Sequence, residues 1–133
     1  MVKEIESHIK QKVQHGTLDI TFFRDDFRHH PTPLAAQSTD INFQIEGKSV
    51  ILVDDVLFTG RTIRSAFDAL MALGRPSKIE LLVLINRRFM REIPIEPTYI
   101  GKSVDTLPTE KIKVLWKEIQ NENEDSVTLY NEK

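Results

Sequence analysis

The stretch that most constrains the fold is V-I-L-V-D-D-V-L-F-T-G-R-T-I, Val50 to Ile63. Val50 to Val53 shows no alternation of apolar with polar residues, so it reads as a strand buried on both faces of a parallel sheet. From Ile63 onward Ala66, Phe67, Leu70 and Met71 recur at helical spacing, and Gly74 with Pro76 beyond it stops the helix. A strand, a short loop and a helix in that order predict an α/β domain. The loop then falls at the carboxyl end of the strand, where open α/β sheets place their ligands. Backbone N–H groups from Gly60 to Thr62 would point out of the helix start, and the Thr59 and Thr62 hydroxyls add donors, which together make a phosphate cradle. Gly60 permits a close approach.

Asp54 and Asp55 precede that cradle at the reach of a ribose ring. Adjacent carboxylates can accept hydrogen bonds from two sugar hydroxyls and can hold a Mg²⁺ ion through its waters. Taken alone, Asp54-Asp55 is a strand end and Thr59 to Thr62 a helix cap. Together, after an apolar strand, they predict a site for a sugar phosphate that carries a diol.

A chain of 133 residues gives this unit one domain, 1–133, to sit in. Its net charge of −2 shows no basic excess of the kind that marks a nucleic-acid binder. Cysteine is absent, which excludes disulfides and thiolate chemistry. No apolar run reaches membrane length and no signal-like segment opens the chain, so the expectation is a cytoplasmic protein with no membrane partner.

Elsewhere the patterns are shorter. Val2, Ile5, Ile9 and Val13 share a stripe and predict a helix over Met1 to Gln14, ended by Gly16. Leu18, Ile20 and Phe22 alternate with Asp19, Thr21 and Phe23, a strand pattern running to Arg24-Asp25-Asp26. Phe27 to Asp40, with His29, His30, Pro31 and Pro33, carries no periodicity and reads as a loop; its histidines lack a third ligand at a metal-binding spacing. Arg24 is either a pyrophosphate contact or a surface ion pair with Asp25 or Asp26. Glu46-Gly47-Lys48 is a turn into what reads as the central strand. Ile79 to Ile85 is a second apolar run, ending at Asn86-Arg87-Arg88 at the ligand-bearing end of the sheet. The Arg87 and Arg88 guanidinium groups either hold a diphosphate or are rim charges. Lys111 to Trp116 and Ser126 to Tyr130 read as two closing strands around an acidic turn, Glu118 to Asp125, with Trp116 as packing.

The sequence V-I-L-V-D-D-V-L-F-T-G-R-T resembles the phosphoribosyl diphosphate (PRPP) signature of the type I phosphoribosyltransferases along its whole length. Further segments narrow the likeness to the branch of pyrimidine-operon regulators that are also uracil phosphoribosyltransferases. These are D-I-T-F-F-R-D-D at Asp19 to Asp26, L-F-T-G-R-T-I-R at Leu57 to Arg64, G-R-P-S-K-I-E-L at Gly74 to Leu81, and R-E-I-P-I-E-P-T-Y-I-G-K at Arg91 to Lys102. The resemblance implies a mostly parallel sheet with flanking helices and a small hood.

It also implies a reaction: uracil and PRPP give uridine monophosphate (UMP) and pyrophosphate, with Mg²⁺ at Asp54 and Asp55 through water. Asp54 and Asp55 would bind the ribose diol, and the loop Val56, Leu57, Phe58, Thr59, Gly60, Arg61 and Thr62 the 5′-phosphate. Arg24 would stand at the base of a closing loop, and Ile100 and Gly101, within a hood segment, near the base. Members of that branch act as dimers on pyrimidine leader RNA. A regulator that senses uridine nucleotides without turnover is therefore the competing expectation.

Two departures from the family pattern stand out. Relatives carry Asp-Arg-Gly-His-Arg-Glu where this chain has Asn86-Arg87-Arg88-Phe89-Met90-Arg91-Glu92, one residue longer and without the leading acid. Relatives also open with a helix, a central strand and a pyrophosphate-gripping loop, and no such glycine-bearing loop precedes the first helix here. The expectation is an N-terminally partial domain, short of an inner strand and half of the anion cradle, with weak or absent catalysis by the 133 residues alone.

Overall fold

The computed structural model describes residues 1–24 and 39–131. Three parallel strands form its sheet: β1 (Ser49–Leu57), β2 (Lys78–Arg88) and β3 (Tyr99–Asp105), in the order β1-β2-β3. Helix α1 (Val2–Ile9) precedes them, and helix α2 (Arg61–Leu73) joins β1 to β2. An antiparallel pair, β4 (Glu110–Leu115) and β5 (Ser126–Asn131), closes the chain around a one-turn helix, α3 (Lys117–Gln120). The strand-loop-helix unit and the two closing strands stand where the sequence places them.

The register puts Asp54 opposite Val83 and Leu57 opposite Asn86, with Ile100 beyond Val83 and Ser103 beyond Asn86. The core gathers on one face of the sheet. Leu57, Ile63, Leu81, Val83 and Ile95 are buried together, with Leu52, Phe67 and Ile93 packed against them. Val83 is 0% exposed and Ile63 2%, so each contributes about 1.5–3 kcal/mol by leaving water. This cluster locks α2 and the 93–95 segment onto the sheet, and so fixes the loop between β1 and α2 from below. Met71, read as part of the helix stripe, is 54% exposed and lies off the core.

Three expectations are corrected. β1 is not buried on both faces and is not central. Its burial alternates, with Ile51 and Val53 about half exposed, because among the described strands it pairs with β2 alone and the central place belongs to β2. β1 also runs on through Asp54-Asp55 to Leu57, so the carboxylates lie in the strand and not after it.

The first helix stops at Ile9, with Lys10 in the left-handed region at φ 54°. The Glu6 carboxylate accepts the Val13 N–H at 2.8 Å, which folds the chain back instead of extending the helix. The alternating stretch from Leu18 is not a strand. Thr17 makes an isolated antiparallel bridge to Asp40, and Thr21–Phe23 is a 3₁₀ turn. The Asp19 carboxylate accepts both the Thr21 N–H at 3.0 Å and its hydroxyl at 2.6 Å, a local bonding scheme that competes with a ladder. Asp25, Asp26, His29 and His30 lie outside the described residues.

The turn at Glu46–Gly47 is found, and it is tied to the far end of α2. Gly47 donates to the Arg75 carbonyl at 2.9 Å, Arg75 to the Glu46 carboxylate at 2.6 Å, and Ser77 to the Lys48 carbonyl at 2.9 Å. The entry to β1 and the entry to β2 are thereby held side by side, which sets their parallel register.

Candidate active site at the β1–α2 loop

The loop between β1 and α2 turns on Gly60, which caps α2 with φ 91°. That angle favours glycine. A Cβ there would stand 3.1 Å from the Ile93 carbonyl and 3.3 Å from the Ile93 Cβ. The close approach that Gly60 permits is therefore to the 93–95 segment. Arg61 donates its N–H to the Thr59 Oγ1 at 3.3 Å, and its Nε meets the Glu92 carboxylate at 2.5 Å in an exposed pair. Thr62 is exposed at the first turn of the helix.

A small hollow of about 100 Å³ is lined by Asp54, Val56, Leu57, Phe58, Thr59, Gly60, Thr62 and Ile63. It joins Asp54 to the loop residues named from the sequence other than Arg61, and Asp55 does not line it. Leu57 is 1% exposed and its side chain belongs to the core, which leaves its backbone to the site. Asp54 and Asp55, consecutive on a strand, start toward opposite faces. Both then bend along the chain: Asp54 Oδ1 accepts the Asp55 N–H at 2.9 Å, and Asp55 Oδ1 accepts the Val56 N–H at 2.7 Å. Burial is the chief force on the Asp54 carboxyl and pushes it up to about 6; the Asp55 N–H bond opposes this, and the neighbouring Asp55 charge adds to it. A half-buried acid with a like-charged neighbour, in a hollow, is the electrostatic pattern of a functional site.

Of the arginines at the end of β2, Arg87 is placed differently from either alternative, and Arg88 stands as a rim charge. Arg87 is 4% exposed and turned inward. Its Nε donates to Thr106 Oγ1 at 2.8 Å, its Nη2 to the carbonyls of Glu110 at 2.8 Å and Leu107 at 3.3 Å, and its guanidinium lies 3.8 Å from the centre of the Phe58 ring. It ties β2 to the connection into β4 and props the loop from beneath. Burial lowers its pKa from the ordinary arginine value. Arg88 is exposed, with its fork closed on Asp105 through bonds of 2.7 and 2.8 Å. Arg24 is exposed and extended at the border of the described residues.

Ile100 and Gly101 lie in β3, and not in a hood. Ile100 is level with Val83 and hence with Asp54, two strands away, roughly 10 Å at the usual strand spacing. Gly101 is needed where it stands, because a Cβ would come within 2.6 Å of the Leu84 carbonyl.

Arg91 is a further residue at this loop, one the sequence does not single out. Its guanidinium donates to the carbonyls of Phe58 at 2.5 Å, Ile95 at 2.9 Å and Arg87 at 3.1 Å, and to Asn86 Oδ1 at 2.6 Å. Nothing in its spacing distinguished it from Arg87 and Arg88. The one signal was Asn86 in place of the family's acid, since that amide, 5% exposed, is Arg91's partner.

The sequence matches the family described as "Phosphoribosyl transferase domain" over residues 3–120. It is 48% identical over 130 residues to the "Bifunctional protein PyrR" of Caldicellulosiruptor bescii, an alignment covering 92% of this chain and 69% of that protein. To the protein of the same name from Elusimicrobium minutum it is 45% identical, over 97% of this chain and 70% of that protein. To that of Desulfosudis oleivorans it is 51% identical, over 81% and 60%. The chain thus spans 60 to 70% of the length of these relatives. Among solved structures, a hypoxanthine-guanine phosphoribosyltransferase from Bacillus anthracis superposes with a TM-score of 0.59 at 20% identity, covering 81% of this chain and 60% of that one, a likeness of fold. With a parallel sheet, a glycine-capped loop at the carboxyl end of β1 and an acidic pair beside it, the chain belongs to the phosphoribosyl transferase family and, within it, to the PyrR proteins.

Proposed function

We propose that this site transfers the phosphoribosyl group of PRPP to uracil, forming UMP and pyrophosphate in the cytoplasm. The observation that carries the reading is the single hollow shared by Asp54 and the loop from Val56 to Gly60 with Thr62. It is a place for a 5′-phosphate with an acid at its wall. N1 of the base attacks C1 of the ribose as pyrophosphate leaves, and positive charge grows on the sugar ring, as in glycoside cleavage. Asp54 and Asp55 orient the diol and offset that charge, and the loop anchors the far end of the sugar. Catalysis here is positioning and electrostatics.

Two adjacent carboxylates suit Mg²⁺, which keeps several waters and shares substrate phosphates. Bound there, it supplies charge neutralisation for the diphosphate. Ile100 and Gly101, about two strands from the acidic pair, are proposed at the base end, and Arg24 on the pyrophosphate side. Arg87 and Arg88, engaged by Thr106, Leu107, Glu110 and Asp105, act as braces in this reading instead of diphosphate ligands.

The test is UMP formation from uracil, PRPP and Mg²⁺ by the wild-type sequence and by Asp54→Asn/Asp55→Asn, each as the 133 residues and as a chain extended upstream in its gene, read in whichever wild-type form turns over. Loss of turnover in the double variant supports the assignment; equal turnover in the two proteins removes it.

The relatives' printed name, bifunctional, favours a second role. We propose it as regulation of pyrimidine biosynthesis, in which a dimer holding UMP at this loop binds pyrimidine leader RNA. Filter binding with and without UMP tests it. Salt-dependent retention that UMP strengthens is expected, and retention indifferent to UMP contradicts it.

A further inference from the structure

Two consecutive carbonyls of the β1–α2 loop are held from one side by one short segment. The Phe58 carbonyl accepts from Arg91 Nη1 at 2.5 Å. The Thr59 carbonyl accepts the N–H groups of Glu92 at 2.9 Å and Ile93 at 3.0 Å. A peptide group is planar and trans, so its N–H points opposite to its C=O. Fixing the Phe58 carbonyl toward Arg91 turns the Thr59 N–H away from the 91–93 segment, and fixing the Thr59 carbonyl does the same for the Gly60 N–H. The hollow lies on that other side, since Phe58, Thr59 and Gly60 line it and residues 91–93 do not.

Arg91 is the member of this brace that acts through its side chain, and it is over-determined. Its three nitrogens reach four acceptors on three pieces of chain: the loop at Phe58, the end of β2 at Asn86 and Arg87, and the following loop at Ile95. Those pieces are themselves anchored, as Ile95 is in the core cluster and Asn86 is buried. A planar fork of fixed geometry can tie them in this way; a lysine ammonium, a point charge with three rotatable donors, cannot reach all four. Charge-assisted bonds of this kind are also the stronger ones.

We infer that Arg91 is a positioning residue for the phosphate loop: its guanidinium sets the orientation of the Thr59 and Gly60 N–H groups before any phosphate arrives. This rests on the phosphate-loop reading above. The Asn86 partner makes the arrangement self-consistent, because a neutral amide satisfies the guanidinium without placing another negative charge near an anion site.

The experiment is calorimetric titration of the 133-residue chain with ribose 5-phosphate, for wild type, Arg91→Lys, Arg91→Met and Arg91→Met with added guanidinium chloride at low millimolar concentration. Arg91→Met is expected to weaken binding on the order of ten- to a hundredfold, the effect that outer partners have on the groups they orient. Arg91→Lys should recover little, and added guanidinium more. In amide spectra the peaks of Thr59 and Gly60 should move while those of β1 and α2 stay. If Arg91→Met does not fold, Arg91→Lys carries the comparison alone, with weakened binding expected. Wild-type affinity in a folded variant, or no rescue by guanidinium, overturns the inference. Absence of ribose 5-phosphate binding by the wild-type chain overturns the phosphate-loop reading itself, and this inference with it.

Discussion

Replacing Asp54 by asparagine should stabilise the fold at neutral pH while removing its function. Asn keeps the Oδ1 that accepts the Asp55 N–H at 2.9 Å and removes only the charge. Burial raises the Asp54 carboxyl from 3.8 to about 6, so ionising it in the fold costs roughly 2 pK units, a ceiling of about 3 kcal/mol. Because the residue is half-buried and water screens it, roughly 1–2 kcal/mol is the working figure.

The sign follows from proton uptake. Between about pH 4 and 6 the folded chain binds more protons here than the unfolded chain, so this contribution to stability falls as pH rises through that window and levels off above it. Asn carries no such dependence. The two proteins should therefore match near pH 4, and the variant should be more stable at pH 7 by roughly 1–2 kcal/mol, a Tm several degrees higher. Thermal unfolding followed by circular dichroism over pH 4 to 7.5 gives the difference for Asp54 together with its neighbour Asp55, since titrating groups away from this pair cancel between the two proteins. A variant less stable at pH 7, or a difference that does not change with pH, would refute the argument that burial of Asp54 dominates. Retaining a charge that costs stability is what a group kept for its chemistry does.

Adjacent arginines should respond in opposite ways. Arg87→Met leaves Thr106 and two carbonyls without their donor and should cost about 2–4 kcal/mol in urea unfolding, whereas Arg88→Ala, which opens an exposed pair with Asp105, should leave the midpoint unchanged within error; equal effects would contradict the burial argument. Gly60→Ala forces a side chain into φ 91° against the Ile93 carbonyl and should destabilise by about 1–2 kcal/mol, with phosphate affinity falling further than stability. A variant with wild-type affinity for ribose 5-phosphate would show that the loop tolerates displacement.

The parts legible in the sequence were those written in local pattern. Apolar residues at helical spacing, stopped by Gly74, set α2, and the run from Ile79 set β2, because burial against the sheet demands both. The grouping of Asp54 with Thr59, Gly60 and Thr62 was legible for the same reason, being carried within one short stretch, whereas Asp55 and Arg61, read with them, do not line the hollow. β1 was misread because an unbroken apolar run does not reveal how many neighbours a strand has. The stretch after Leu18 was misread because the Asp19 carboxylate, through two bonds to Thr21, overrides an alternating pattern. The arginines were the hardest. Whether Arg87 turns inward onto Phe58 and Thr106, Arg88 outward onto Asp105, or Arg91 back across the loop depends on partners 4 to 33 residues away, and no spacing rule encodes these. Ile100 and Gly101 were assigned to a hood, when the register against Val83 and Ile85 makes their segment the third strand.

In the proposed function, the hollow between Asp54 and the Gly60 loop holds the ribose 5′-phosphate of a uridine nucleotide. The most direct measurement is titration of ¹⁵N-labelled protein with UMP in the presence of Mg²⁺, beside Asp54→Asn/Asp55→Asn. Saturable shifts are expected, centred on the amides of Asp55 and of Phe58 to Thr62, with affinity rising as pH passes through about 6 and binding largely lost in the double variant. Shifts centred on other residues, or equal UMP affinity in the two proteins, would contradict it.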